Sequence, residues 1–173
     1  VATYSENITS VSNERLDMEK NMRDAMAADY KEFEVYYQPI FSTEEQRIVG
    51  AEALVRWIKE DGSVVYPSDF IPIFETNGFI ENLDFYMLEQ LCIKMKEMRK
   101  TGNYKFYPIS VNQSRVLINN PDYVNNVGKI LDRYEADVSM IQLEITENVF
   151  FDQKLKMIEV VNDLKRLGLN LAM

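Results

Sequence analysis

Three strand-like segments each carry an oxygen-bearing side chain that could ligate a cation. Glu52 lies in GAEALVRW, Asn112 in ISVNQ and Glu144 in QLEIT. A carboxylate buried alone is costly, so each glutamate needs a hydrogen-bond donor, an ion-pair partner or a cation. Two carboxylates and an amide oxygen suit a hard divalent cation such as Mg²⁺ or Mn²⁺. Arg56 falls on the Glu52 face of the same strand and suits a phosphate oxygen.

The same side chains also have a purely structural interpretation. Each of them can cap a strand or join an ion pair, such as Glu52 with Arg56. Because the three polar positions fall near the same end of three strands, the sequence favours a shared cation site over three separate caps.

Composition excludes several other chemistries. The 173 residues contain no histidine, which excludes Ser-His and Cys-His catalysis and His-ligated zinc. The single Cys92 lies in a helical apolar pattern typical of an inert core thiol. A net charge of -9 disfavours binding to nucleic acid or to an anionic membrane. With no apolar run near ~20 residues and no signal-peptide pattern, we expect a soluble, cytoplasmic chain.

The elements that must position these residues begin with an amphipathic helix. In the segment SNERLDMEKNMRDAMAADY, one stripe carries Met18, Met22, Ala25 and Met26. This helix, within a predicted first segment 1–30, either docks on the domain that follows or connects it to an upstream domain.

A β-hairpin and a series of βα units follow. The runs EFEVYYQPIF and RIVGAEALVRW are separated by a link too short for a helix, so they predict antiparallel neighbours. Helical patterns then cover 66–100, where Ser68 suits an N-cap and Asn77-Gly78 a break. Strand and helix patterns alternate afterwards, with strands near 105–112, 139–147 and 169–173 and helices near 120–135 and 152–168. This alternation predicts an α/β fold with a largely parallel sheet.

Five motifs in order resemble the EAL family of cyclic-di-GMP phosphodiesterases: YYQPI, RIVGAEALVRW, FIPIFETNGFI, SVNQS and LEITEN. Such an ordered set is far more specific than one E-A-L tripeptide. The resemblance covers 31–173 and implies a TIM-like (β/α)8 barrel whose first strand is antiparallel to the others. It also implies hydrolysis of cyclic-di-GMP to pGpG by water that Mg²⁺ or Mn²⁺ activates.

Site roles carry over from this resemblance residue by residue. Glu52, Asn112 and Glu144 match metal ligands, and both glutamates are therefore expected to be catalytic. Gln38 and Arg56 match positions that contact the substrate. Glu147 matches a glutamate associated with ordering an active-site loop and is expected to be catalytic as well. A helix-capping carboxylate is its structural alternative.

The resemblance also implies that more of the barrel lies elsewhere. LGLNLAM resembles the entry to the family's fifth strand, where the family continues with DDFG. We therefore expect a partial barrel, truncated at about the fifth strand, that is by itself inactive and forms a homodimer or higher oligomer through its open edges. A GGDEF or sensor domain is expected upstream in the parent protein. The alternatives are a non-catalytic module that binds cyclic-di-GMP and a dimerisation module.

Overall fold

The computed structural model describes residues 16–28, 30–101, 107–145 and 154–172. These residues group into two compact units, and strands β1 (Phe33–Ser42) and β2 (Arg47–Ile58) contribute to both. The first unit contains described residues up to Glu34 together with Val55–Asn77, and the second contains Val35–Leu54 and Gly78 onwards. The predicted division at residues 30 and 31 stays a prediction.

The first unit is built around an aromatic cluster. Residues 16–27 form helix α1, which buries Met22 and Ala25 and leaves most of its charged residues exposed. Helix α2 spans Pro67–Asn77, and a two-residue strand β3, Val64–Val65, pairs antiparallel with the end of β2. The unit buries Phe33, Trp57, Phe70 and Phe74 against one another.

The start of α2 differs from the prediction that Ser68 caps it. The helix begins at Pro67, whose fixed φ suits the first helical position and whose missing N–H costs nothing there. Ser68 therefore lies inside the first turn, where its hydroxyl donates to Asp69 at 3.2 Å. The break at Gly78 is confirmed, since this glycine has φ +80° directly after the helix ends.

The second unit holds most of the sheet. The strands are β1 Phe33–Ser42, β2 Arg47–Ile58, β4 Ile109–Gln113, β5 Ile141–Ile145 and β6 Asn170–Ala172, in the spatial order β1-β2-β4-β5-β6. A four-residue link joins β1 to β2, which confirms the hairpin with no helix between its strands. β2, β4, β5 and β6 run parallel.

Helices cover one face of this sheet. They are α3 Ile80–Thr101, α4 Tyr123–Tyr134 and α5 Lys154–Arg166. Gln113, on the same face as Ile109 and Val111, donates to the Asp84 carbonyl of α3 at 3.3 Å and accepts from the Tyr123 hydroxyl of α4 at 3.1 Å. The apolar residues that β4 and β5 place on that face are buried, as expected for strands with helices packed over them.

Short elements complete the unit. Two 3-10 helices, Arg115–Asn119 and Val138–Met140, precede α4 and β5, and the sequence patterns did not predict them. Gly168 has φ +90° in the turn before β6, a backbone conformation that favours glycine. Within the described part of the chain, no helix is both long enough and apolar enough to cross a bilayer.

Candidate functional site

The predicted cation ligands of the second unit lie on the sheet face opposite the helices. Asn112 is the Cα partner of Glu144 across β4 and β5, and Glu52 on β2 pairs with Ser110, one pleat repeat before Asn112. The Asn112 amide donates from Nδ2 to Glu52 Oε1 at 2.7 Å. Alternate residues along a strand point to the same face of the sheet. The strands therefore bring Glu52, Asn112 and Glu144 to one surface, as the sequence predicted.

Buried hydrogen bonds behind the sheet fix the carboxyl end of β4. Asp84 of α3, 7% exposed, accepts from the Ser114 backbone N–H through Oδ2 at 2.6 Å. Gln113 Nε2 also donates to the Asn112 carbonyl at 3.0 Å. Burial, with Asp84 nearby, raises the pKa of Tyr123, so its phenol stays a neutral donor to Gln113. This network holds the backbone that carries Asn112.

Sequence reasoning missed this network, although one signal was present. Asp84 interrupts the apolar pattern ENLDFYML on the buried stripe of α3, and Gln113 falls at an apolar position of its strand. A polar residue at a core position predicts a buried hydrogen bond, but not its partner.

A row of polar residues crosses the sheet below Asn112 and Glu144. Ser110 is the Cα partner of Glu52 on β2 and of Gln142 on β5. Ser110 is only 4% exposed, and its Oγ has no hydrogen-bond partner among the described residues. Sequence reasoning did not single out Ser110 or Gln142, because serine and glutamine are common at strand positions.

These residues fit a hard divalent cation in donor type. Glu52 and Glu144 offer carboxylate oxygens and Asn112 an amide oxygen, which are the ligands that Mg²⁺ and Mn²⁺ take. The orphaned Ser110 hydroxyl in the same layer as Glu52 is a further sign that a polar occupant belongs here. Among the described residues, no group of three or more Asp, Glu, His and Cys side chains could hold a metal. The three residues therefore offer oxygen donors for at most part of a coordination shell.

The remaining predicted site residues are placed separately. Gln38 is exposed on β1, and its neighbours Tyr37 and Pro39 line a pocket against α3, so Gln38 points away from the helices. Arg56 belongs to the first unit, where its Nη1 donates to the Val55 carbonyl at 2.8 Å. Glu147 lies outside the described residues, so its predicted role stays a prediction.

Cys92 is the core thiol that the sequence predicted. It is 1% exposed in α3, and burial, with the nearby Glu89 carboxylate, raises its pKa to about 12. A thiol in this state carries almost no thiolate near neutral pH and is not a nucleophile.

A pocket of about 380 Å³ lies within the second unit, apart from the polar face. Its lining is almost entirely apolar and comes from the β1–β2 hairpin, the start of β4 and the last turns of α3. Glu52, Asn112 and Glu144 are not among its lining residues, so the candidate site is the open polar face of the sheet and not this pocket.

Comparison with known proteins gives the family. The sequence model of the EAL domain matches residues 19–173. An uncharacterized signaling protein of Caulobacter vibrioides is 32% identical over 160 residues, which make up 92% of this chain and 19% of that protein. A Pseudomonas aeruginosa protein named cyclic di-GMP phosphodiesterase NbdA is 26% identical over 169 residues, 98% of this chain and 21% of that protein.

Solved structures share the fold. The PaMucR phosphodiesterase, in its c-di-GMP complex, superposes with a TM-score of 0.78 at 24% identity, covering 90% of this chain and 62% of that one. The chain thus spans about a fifth of the length of the two relatives above and less than two thirds of this solved chain. The family match extends over nearly the whole sequence, and this chain therefore belongs to the EAL domain family.

Proposed function

We propose that the chain forms part of a phosphodiesterase domain that hydrolyses cyclic-di-GMP to pGpG with Mg²⁺ or Mn²⁺. The observation that carries the proposal is that Glu52, Asn112 and Glu144 lie on one face of the sheet, opposite α3, α4 and α5, in an EAL-family chain. NbdA, a relative in the same family, is named for this activity.

Each predicted residue has a role in this proposal. Glu52, Asn112 and Glu144 hold the cation, which when bound supplies Lewis acidity and lowers the pKa of water. Arg56 pairs with a phosphate oxygen, and Gln38 contacts the nucleotide through its amide. Glu147 orders a loop beside the site. The single buried thiol suits a reducing compartment, so we place the activity in the cytoplasm.

We infer that this 173-residue chain binds cyclic-di-GMP but hydrolyses it negligibly. Described residues bring two carboxylates and one amide to the site, fewer oxygen ligands than the six of an octahedral cation. We infer that further strands of a (β/α)8 barrel, and a GGDEF or sensor domain upstream, belong to a longer parent protein. The relatives' greater length supports that inference.

The test is calorimetric titration of this chain with cyclic-di-GMP in Mn²⁺ or in EDTA, with chromatography of the products. We expect saturable binding that weakens in EDTA, no binding of GMP, and little pGpG. Absence of binding at high micromolar nucleotide would contradict the proposed substrate. Rapid Mn²⁺-dependent release of pGpG would keep the substrate and contradict the inactivity of the chain.

A second candidate function is a module that binds cyclic-di-GMP without hydrolysing it. The two carboxylates and one amide of the described site residues would serve such binding as well as they would serve hydrolysis. A longer parent protein that binds the nucleotide tightly but releases no pGpG in Mg²⁺ or Mn²⁺ would establish this alternative.

We also propose that the chain self-associates as a homodimer or higher oligomer. In the described sheet, β1 and β6 each have a strand neighbour on one side only. β1 exposes Tyr36, Ile40 and Phe41, and an edge strand with apolar side chains invites pairing with a second copy. Light scattering across a wide concentration range should give a mass above that of one 20.3 kDa chain. A constant monomeric mass would contradict self-association.

A further inference from the structure

The buried hydroxyl of Ser110 has no role in the fold that the described residues show. It lies on the polar face in the same row as Glu52 and Gln142, and Oγ has no hydrogen-bond partner among the described residues. A buried hydroxyl without a partner destabilises the folded state, and such a group in a native protein calls for an explanation. Because Ser110 lies directly across from Glu52, we expect the partner that this hydroxyl lacks in the candidate cation site.

The Glu52–Asn112 bond shows what must change when a cation enters. Asn112 now directs its amide nitrogen, Nδ2, at Glu52 Oε1. A hard cation binds a neutral amide through its oxygen and not through its nitrogen. Asn112 must therefore turn its side-chain amide to present Oδ1. Turning the amide removes the hydrogen bond that Glu52 receives in the structure described here.

We propose that Ser110 is a positioning residue that replaces this hydrogen bond. When Asn112 presents its oxygen to the cation, the Ser110 hydroxyl donates to the Glu52 carboxylate from the neighbouring strand. Adjacent strands lie about 4.8 Å apart, and the glutamate side chain has the rotatable bonds needed to meet a hydroxyl directly across from it. Ser110 acts through Glu52 and contacts neither cation nor substrate. The inference rests on the proposed cation site.

The exchange of hydrogen bonds predicts opposite effects on stability and on cation binding. In the cation-free chain, Ser110→Ala removes a hydroxyl that has no partner, so the Tm should stay the same or rise. In the cation-bound chain it removes a donor to a ligating carboxylate. We therefore expect Mn²⁺ affinity to fall by about tenfold, the lower end of what such supporting hydrogen bonds contribute.

The experiment measures Mn²⁺ binding by calorimetry and Tm by circular dichroism in EDTA, using the 173-residue chain. Ser114→Ala is the matched control, because Ser114 is also buried but its hydroxyl accepts from the Val116 N–H at the start of a 3-10 helix. The control should lower the Tm and leave Mn²⁺ affinity unchanged.

A second pair of variants separates the hydroxyl from packing. Thr and Val have nearly the same shape and differ by one hydroxyl, so any cost of the added methyl group is shared by Ser110→Thr and Ser110→Val. The threonine variant should bind Mn²⁺ about tenfold more tightly than the valine variant, by the same supporting hydrogen bond.

The outcomes distinguish this inference from the proposed function. Failure of the unmodified chain to bind Mn²⁺ would overturn both. Normal Mn²⁺ binding that neither Ser110→Ala nor the Thr and Val pair alters would overturn the role of Ser110 alone. A marked fall in the Tm of Ser110→Ala in EDTA would also overturn it, since the hydroxyl would then have a partner without the cation.

Discussion

Replacing Glu52 by glutamine should weaken Mn²⁺ binding to this chain by about 100-fold or more, because the proposed cation site would lose one of its two carboxylates. The fold should survive the change. Glutamine has the size of glutamate and keeps a carbonyl oxygen that can accept from Asn112 Nδ2, the bond that Glu52 now makes at 2.7 Å. Calorimetric titration with Mn²⁺ gives the affinity, and circular dichroism in EDTA gives the Tm.

Glu45→Gln is the control for this prediction. Glu45 lies in the link between β1 and β2, where its exposed carboxylate pairs with Arg47. The control makes the same chemical change in the same hairpin, and it should leave both Mn²⁺ affinity and Tm nearly unchanged. If Glu52→Gln bound Mn²⁺ as tightly as the control, Glu52 would not be a ligand, and the hydrogen bond to Asn112 would be its whole role.

The largest effect on stability is expected from Trp57→Ala in the first unit. Trp57 is 0% exposed, stacks on Phe33 with ring centroids 5.2 Å apart, and meets Phe70 edge-on at 5.6 Å. Its indole N–H donates to Glu32 Oε2 at 2.8 Å. Truncation leaves a cavity among aromatic rings and an acceptor without its donor, so we expect a loss of about 3–5 kcal/mol in the free energy of unfolding.

Urea unfolding followed by far-ultraviolet circular dichroism measures this loss, since the chain has only one tryptophan and the variant has no indole fluorescence. Tyr66→Ala serves as the control, because Tyr66 belongs to the same unit and is 65% exposed. It should change stability by less than about 0.5 kcal/mol. A similarly small change for Trp57→Ala would show that the aromatic cluster does not stabilise the fold.

Local pattern was enough to predict the main helices and strands and the face on which each candidate ligand lies. Alternation along a strand depends only on backbone geometry, so Glu52 was correctly placed opposite the buried Ala53 and Trp57. The short link between β1 and β2 likewise required a hairpin, whatever surrounds it. Ser68 was the failure at this level, because the proline before it has the stronger preference for the first helical turn.

The sequence pattern could not predict which residues form hydrogen bonds between different strands and helices. Nothing local in SVNQS indicates that Gln113 bonds to both α3 and α4, or that Asp84 accepts from the Ser114 backbone. These bonds join residues about 10 to 30 positions apart in the chain. Such pairings depend on how the helices pack over the sheet, and many sequences with the same periodicity pack differently.

By itself the sequence determined the residue types at the candidate site, the sheet face that carries them and the family to which the chain belongs. Only the tertiary structure decided the register, which sets Asn112 beside Glu144 and Glu52 beside Ser110. The physical reason is that the face on which a side chain lies depends on one strand alone, whereas register depends on how two strands pair. A register fixed by packing on the helix-covered face therefore decided which polar groups meet on the other face.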